Sequence, residues 1–361
     1  MYQGKSTQVD DLPEDFYIPI ALNVKNMSEL SPFLVPQVHL GDSFIFYGMS
    51  AFMLFLVLAG FPLNFLTVFV TIKYKKLRSH LNYILVNLAI ANLIVVCCGS
   101  TLAFYSFMHK YFILGPLFCK MEGFTATLGG MLSLWSLAVL AFERCLVICK
   151  PFGNIAFRGT HALIGCGFAW AAAIAASTPP LFGWSRYIPE GLQCSCGPDW
   201  YTTNNKYNNE SYVMFLFIFC FGTPFTIIIV SYSKLILTLR AAAAQQQESA
   251  STQKAEKEVS RMVVIMVGGF LVCWLPYASL ALWIVFNRGS PFDLRLATIP
   301  SVFSKASTVY NPVIYIFLNK QFRSCMMKTI FCGKNPLGDD EDATSTTTQV
   351  SSVSTSQVAP A

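Results

Sequence analysis

The stretch FIFYGMSAFMLFLVLAGFPLNFLTVFVTI, Phe44 to Ile72, runs 29 residues without an Asp, Glu, Lys, Arg or His. About 20 predominantly apolar residues carry an α-helix across a bilayer, so this segment predicts a transmembrane helix. Working outward, six further stretches meet the same criterion: Leu81 to Phe107, Gly123 to Phe142, Ala162 to Trp184, Tyr212 to Leu239, Met262 to Phe286 and Leu296 to Leu318. The whole chain of 361 residues is 54% hydrophobic and only 12% charged, whereas soluble domains carry about 25% charged residues. Such a chain cannot clothe a water-facing surface. It is also too apolar for disorder, and 12 cysteines are too dilute for a disulfide scaffold. The reading is an all-α membrane protein, a seven-transmembrane helix bundle over residues 44–318.

An odd number of spans puts the termini on opposite sides. Sixteen of the 25 Lys and Arg fall in connections on one side, among them Lys73, Lys75, Lys76 and Arg78, and eight on the other. The positive-inside rule then places the N-terminus outside and the C-terminus in the cytoplasm. The net charge of +6 is therefore a topological signal and no argument for nucleic acid. Residues 1–43 form an extracellular segment with no cleavable signal pattern. Within it Asn26-Met27-Ser28 is a glycosylation sequon; Asn209-Glu210-Ser211 is another, abutting the fifth span. Residues 319–332 alternate basic and apolar positions, as in a short amphipathic eighth helix lying on the inner membrane surface. Cys332 at its end is a palmitoylation candidate in contact with membrane lipid. Residues 333–361 form a disordered tail whose Thr344, Ser345, Thr346, Thr347, Thr348, Ser351, Ser352, Ser354, Thr355 and Ser356 are candidate phosphoacceptors.

Most cysteines fall within spans or on the reducing side, where they act as small apolar residues. Cys119, Cys194 and Cys196 face outside, so one bridge can tie the loop after the fourth span to the top of the third. The residues alone do not choose between Cys194 and Cys196.

Two charges lie in the apolar region away from the cytoplasmic ends: Lys305, midway along the seventh span, and Glu122, at the outer end of the third. A charged side chain at bilayer centre costs about 2.5–3.5 kcal/mol even on the mildest scale. Nine residues separate Leu296 from Lys305, about 13 Å of helix, which is deep. A purely structural ion pair must overcome desolvation of both ions. Burial favours the neutral amine, the form that attacks a carbonyl compound. The resulting imine, once protonated, is still a cation and still needs Glu122, which accounts for both residues. Phe270, Trp274 and Tyr277 share one face of the sixth span at the depth of Lys305, suiting a flat apolar ligand. Pro224, Pro276 and Pro312 predict kinks in the fifth, sixth and seventh spans.

Asn64, Glu143-Arg144-Cys145, Cys273-Trp274-Leu275-Pro276 and Asn311-Pro312-Val313-Ile314-Tyr315 together resemble the motifs of rhodopsin-like G-protein-coupled receptors. Phe303-Ser304-Lys305-Ala306-Ser307 with Cys119-Lys120-Met121-Glu122-Gly123 narrows the resemblance to vertebrate visual opsins, from about Phe16 to the C-terminus. It implies 11-cis-retinal, or 3,4-didehydroretinal, bound covalently at Lys305 as a protonated Schiff base with Glu122 as counterion. It implies a Cys119–Cys196 bridge, Glu190 near the chromophore, and an inner lock of Arg144 with Glu143 and Glu256. Asn311, Pro312 and Tyr315 are implied activation residues. The implied partners are a transducin-like heterotrimeric G protein, a receptor kinase and arrestin, in the plasma or disc membrane of a cone outer segment. Two positions depart from the family: Cys145 replaces a tyrosine, and Asn92 stands where most relatives have Asp, so the second span carries no charge.

Colour follows from where charge is stabilised, because excitation moves positive charge away from the Schiff-base nitrogen. Ser301, one turn before Lys305, puts a hydroxyl near that nitrogen, while Met131 and Ala278 leave the far end without polar groups. The pattern resembles the blue cone pigments of the second short-wavelength class. A receptor for a diffusible ligand would leave Lys305 unexplained. A retinal-bound ion pump needs a file of carboxylates beyond Glu122, and an enzyme finds no metal-ligand spacing among His39, His80, His109 and His161.

Overall fold

The computed structural model describes residues 15–20, 27–149, 157–202, 205–245, 250–288, 292–334 and 336. The first span is α1 (Ser43–Lys73). The second runs from His80 to His109 as α2 (His80–Val95), a wide π-type turn at Val96–Ser100 and α3 (Thr101–His109). The third is α4 (Gly115–Cys149) and the fourth α5 (Gly159–Ser177). A two-stranded antiparallel hairpin follows, β1 (Tyr187–Glu190) and β2 (Ser195–Pro198). The fifth span is α6 (Asn209–Phe215), a second π-type turn at Leu216–Gly222 and α7 (Thr223–Gln245); the sixth is α8 (Ala250–Phe286). The seventh is α9 (Thr298–Ser304) and α10 (Ser307–Leu318), and α11 (Lys320–Ile330) closes the described chain.

Six of these helical spans are long and apolar enough to cross a membrane. The seventh is not one helix, as hydropathy alone suggests, because it breaks at Lys305. There the backbone tightens into i→i−3 hydrogen bonds: Lys305 N to Val302 O, Ala306 N to Phe303 O and Thr308 N to Lys305 O. Side-chain hydroxyls compete for the local carbonyls, Ser304 Oγ donating to Ser301 O and Thr308 Oγ1 to Lys305 O, which favours bends over regular helix. Downstream, Pro312 has no N–H for the carbonyl of Thr308. Asn64 of α1 supplies the missing donor at 2.8 Å. The same amide accepts from Asn92 Nδ2 at 3.1 Å, so the uncharged Asn92 serves as a cross-link between the first two spans.

The third span is the axis of the bundle. In its most apolar window 67% of residues are buried, against 33% for the first span and 28% for the fourth. It also starts earlier than hydropathy indicates, at Gly115, so Glu122 lies two turns inside the helix. Between spans, Asn87 joins Ser136 and Trp170 by hydrogen bonds of 2.9 and 2.8 Å, satisfying polar groups that lipid would leave bare. At the inner surface, Asn319 caps α11 by accepting from Phe322 N, and Phe322, Cys325 and Met326 turn into the bundle. This is the spacing of an amphipathic surface helix.

Candidate functional site

The hairpin lies over the outer mouth of the bundle with every residue of both strands buried. Cys196 in β2 is bridged to Cys119 in α4, with Cα atoms 5.4 Å apart. Cys194 stays a free, buried thiol whose Sγ donates to Leu192 O; between the two cysteines only Cys196 meets Cys119. Gly191 in the connecting turn has φ +59°, and a Cβ there would sit 1.9 Å from Thr298 Oγ1, so the turn accepts no side chain. Opening the bridge by Cys119→Ser with Cys196→Ser is expected to lower stability by about 4 kcal/mol, from the entropy of a loop of this length. A thermal melt of the reduced-cysteine variant checks it.

The bridge fixes Ser195 directly above Glu122. Lys305 Nζ lies 3.2 Å from Glu122 Oε1 and donates to Ser195 Oγ at 2.8 Å. Ser195 in turn donates to Glu122 Oε1 at 2.9 Å, and the Cys196 backbone N–H donates to Oε2 at 2.7 Å. Both charged side chains are buried, 4% and 0% exposed. A carboxylate with two hydrogen-bond donors and a cation within reach is the arrangement that lets a buried pair survive desolvation. Ser195 was invisible to sequence reasoning as a site residue; its adjacency to Cys196 is the signal that points to it.

Beside this pair sits a second carboxylate. Glu190 accepts hydrogen bonds from Ser301 Oγ at 2.5 Å, Tyr201 OH at 2.8 Å and Tyr277 OH at 2.9 Å, and Trp200 Nε1 donates to Tyr277 OH. The Ser301 hydroxyl is thus committed to Glu190 and makes no hydrogen bond to the lysine. Burial pushes the Glu190 carboxyl above the ordinary carboxylate range; the bonds from Ser301 and Tyr201, then the Lys305 charge, oppose it. Tyr17 covers this cluster from the N-terminal segment, stacked on Tyr201 at 4.5 Å and accepting from Gly191 N.

At the level of Lys305 an apolar cavity lies between the third, fifth and sixth spans. Met131, Phe270, Trp274, Tyr277 and Ala278 line it, with Phe217 and Phe221 of the fifth span and Trp200 of the lid. Phe270, Trp274 and Tyr277 form a continuous aromatic wall, with centroids 5.8 and 6.3 Å apart. Trp274 Nε1 donates to Ser307 Oγ at 3.1 Å, two residues past the lysine, so the ring sits level with it. Gly130 of α4 lets this indole approach: an added Cβ would lie 2.6 Å from its Cη2. A long, flat, apolar ligand attached at Lys305 fits this donor set and this cradle.

Other predicted sites lie apart. At the inner end Glu143 is buried and bonded to Arg144 through both carboxylate oxygens. Asn311 is buried with neither amide atom hydrogen-bonded among the described residues, and Pro312 is buried beside it. The side chains of Glu256 and Tyr315, residue Asn26 and the tail hydroxyls from Thr344 to Ser356 lie outside the described residues. Cys332 is exposed just beyond α11. Asn209 is buried at the head of α6 and its amide donates to Thr202 O, which leaves no room for a glycan. Among the described residues no cluster of His, Cys, Asp or Glu could hold a metal.

Residues 63–315 match the family model described as 7 transmembrane receptor (rhodopsin family). A blue-sensitive opsin of Psalidodon fasciatus is 71% identical over 95% of this chain and 97% of its own length. A blue-sensitive opsin of Gallus gallus is 67% identical over 97% of this chain and 98% of its own. The crystal structure of squid rhodopsin shares the fold, with a TM-score of 0.73 at 24% identity, covering 89% of this chain and 94% of that one. The chain therefore belongs to the rhodopsin family of seven-transmembrane receptors and, within it, to the vertebrate blue-sensitive opsins.

Proposed function

We propose that Lys305 carries 11-cis-retinal, or its 3,4-didehydro form, covalently on its side-chain nitrogen, with Glu122 as the counter-charge. The protein is an integral-membrane, light-sensing G-protein-coupled receptor for blue light, and not an enzyme. The observation that carries the site assignment is the buried Lys305–Glu122 pair, 3.2 Å apart, at the level of a cavity lined by aromatic and aliphatic side chains. Retinal, when bound, supplies absorption of visible light and photoisomerisation. The chain's residues do the rest. Glu122 and Ser195 hold positive charge at the lysine nitrogen, and the lid excludes water from it. The indole of Trp274, bonded to Ser307, joins the turn at Lys305 to the sixth span just ahead of Pro276. Weakening the Lys305–Glu122 attraction loosens the seventh span from the third, and the sixth span, which carries Pro276 inside α8, is the element free to pivot toward a G protein.

The test is one dark absorption spectrum of the full-length protein after adding 11-cis-retinal, with acid trapping to locate the attached nitrogen. A blue-absorbing band with label on Lys305 supports the assignment; a retinal-free lysine overturns it. Ser301→Ala is expected to move that band to the red, because it removes a hydroxyl near the nitrogen end; an unshifted band excludes Ser301 from tuning. The exposed Cys332 thiol past an amphipathic helix supports palmitoylation there. We further assign a transducin-type G protein, a receptor kinase and arrestin as cytoplasmic partners, the last two through the Ser/Thr tail, in a cone outer-segment membrane.

A further inference from the structure

His80 opens α2 directly after its N-cap Ser79, a position that by itself suggests nothing beyond a polar helix start. The fold carries its ring to the inner end of α4. There Nε2–H donates to Glu143 Oε1 across 2.7 Å. Arg144 Nη2, which bonds the same oxygen, lies 3.5 Å from that imidazole nitrogen. The histidine side chain is 31% exposed and that of Glu143 is 0% exposed, so the ring joins a carboxylate sealed from water to the cytoplasmic surface.

The ring is held in this pose. It packs edge-on against Phe157 at 5.4 Å, and Phe157 packs on His161 at 5.5 Å. His161 is itself tied to the start of α5 by accepting from Arg158 N at 3.0 Å. Among the described residues, the charged and titratable groups beside His80 are Glu143 and Arg144 of α4 and, across Phe157, His161 and Arg158 at the head of α5. Tyr232 of α7 lies near the same pair, buried and without a hydrogen-bond partner for its hydroxyl among the described residues. Glu256 is on α8, with its side chain outside the described residues.

A carboxylate offers about four lone-pair sites, so the imidazole adds a donor to Glu143 without displacing Arg144. Neutral imidazole already donates one hydrogen bond to the ionised carboxylate. Protonated imidazole adds its positive charge to that bond, 2.7 Å from a carboxylate that water does not screen, against the weaker repulsion of the Arg144 guanidinium 3.5 Å away. The grip on Glu143 therefore strengthens as His80 takes up a proton.

We propose that His80 is a positioning residue for the Glu143–Arg144 pair, a third member of the inner lock whose protonation sets how tightly the dark receptor is held silent. The proposal rests on the reading that this pair restrains the inactive state. The test measures basal nucleotide exchange on a purified retinal G protein, using full-length receptor with 11-cis-retinal bound, in the dark, from about pH 5.5 to 8, the span over which imidazole titrates. His80→Ala is expected to raise basal exchange about tenfold at the acid end, the size of one lost hydrogen bond to a charged group. His80→Gln keeps a donor but no titration. It should recover most of the lost silence, with its exchange relative to the parent rising as pH falls. An unchanged dark spectrum reports that each variant is folded, and if His80→Ala does not assemble, His80→Gln carries the pH comparison alone. Exchange by His80→Ala within about twofold of the parent at every pH, or a His80→Gln profile parallel to the parent's, overturns the proposal. Glu143→Gln separates the two readings: if it fails to raise exchange, the lock itself is misassigned; if it does while His80→Ala does not, only the role of His80 falls.

Discussion

Lys305→Ala is expected to abolish the visible band entirely when 11-cis-retinal is added to the full-length protein, and acid trapping should recover no retinyl adduct. A covalent pigment needs a primary amine at the depth of the cavity. Lys305 is the lysine buried there, whereas Lys110 and Lys120 sit at the outer rim, where Lys110 bonds Ser43. The fold should survive the change. Removing one partner of a buried ion pair costs about 3–5 kcal/mol when the other is stranded, but Glu122 keeps the donors from Ser195 and the Cys196 backbone. The loss should fall at the lower end of that range and be visible in a thermal melt. A visible band that persists in Lys305→Ala would mean that another nitrogen holds the chromophore, and the site assignment would be abandoned.

Glu122→Gln is expected to move most of the visible absorption into the near ultraviolet at neutral pH. Glutamine keeps the shape and can still accept from Cys196 N, but it carries no charge. The cation at position 305 then faces a buried, uncompensated site at a cost of about 3–5 kcal/mol, and buried groups escape such a cost by changing protonation state. Loss of the proton shortens the wavelength; acidification should bring the visible band back. Glu122→Asp keeps the charge at shorter reach and should keep a visible band. If Glu122→Gln left the spectrum unaltered, the counter-charge would have to be sought at Glu190, whose burial already favours its neutral form.

Spans, orientation and the two intramembrane charges were legible in the sequence because each depends on local composition. A run such as Phe44 to Ile72 has one physical solution in lipid, since its backbone must satisfy its own hydrogen bonds. Lys305 stood out for the same reason, as the one cation with no route to the membrane surface. The aromatic stripe of the sixth span was legible as a period, although its level with the lysine needed the Trp274–Ser307 bond to fix it. Helix interruptions were harder to read. Pro276 sits within a continuous α8, whereas the turn at Val96–Ser100 contains no proline and the break at Lys305 precedes Pro312 by seven residues.

Hydropathy and charge, read along the chain, determined that this protein is a seven-span bundle with its C-terminus inside and an amine deep in the membrane. Only the tertiary structure decided that Ser195 bridges the amine and its carboxylate, that Ser301 serves Glu190 and that His80 reaches Glu143, and it joins Cys119 to Cys196, a pairing that the family resemblance implied and the spacing of the cysteines left open. These contacts join residues 63 to 111 positions apart in sequence, where no local period connects the partners. Their selection comes from helix packing and one covalent staple, which set distances that a linear pattern of polar and apolar residues does not encode.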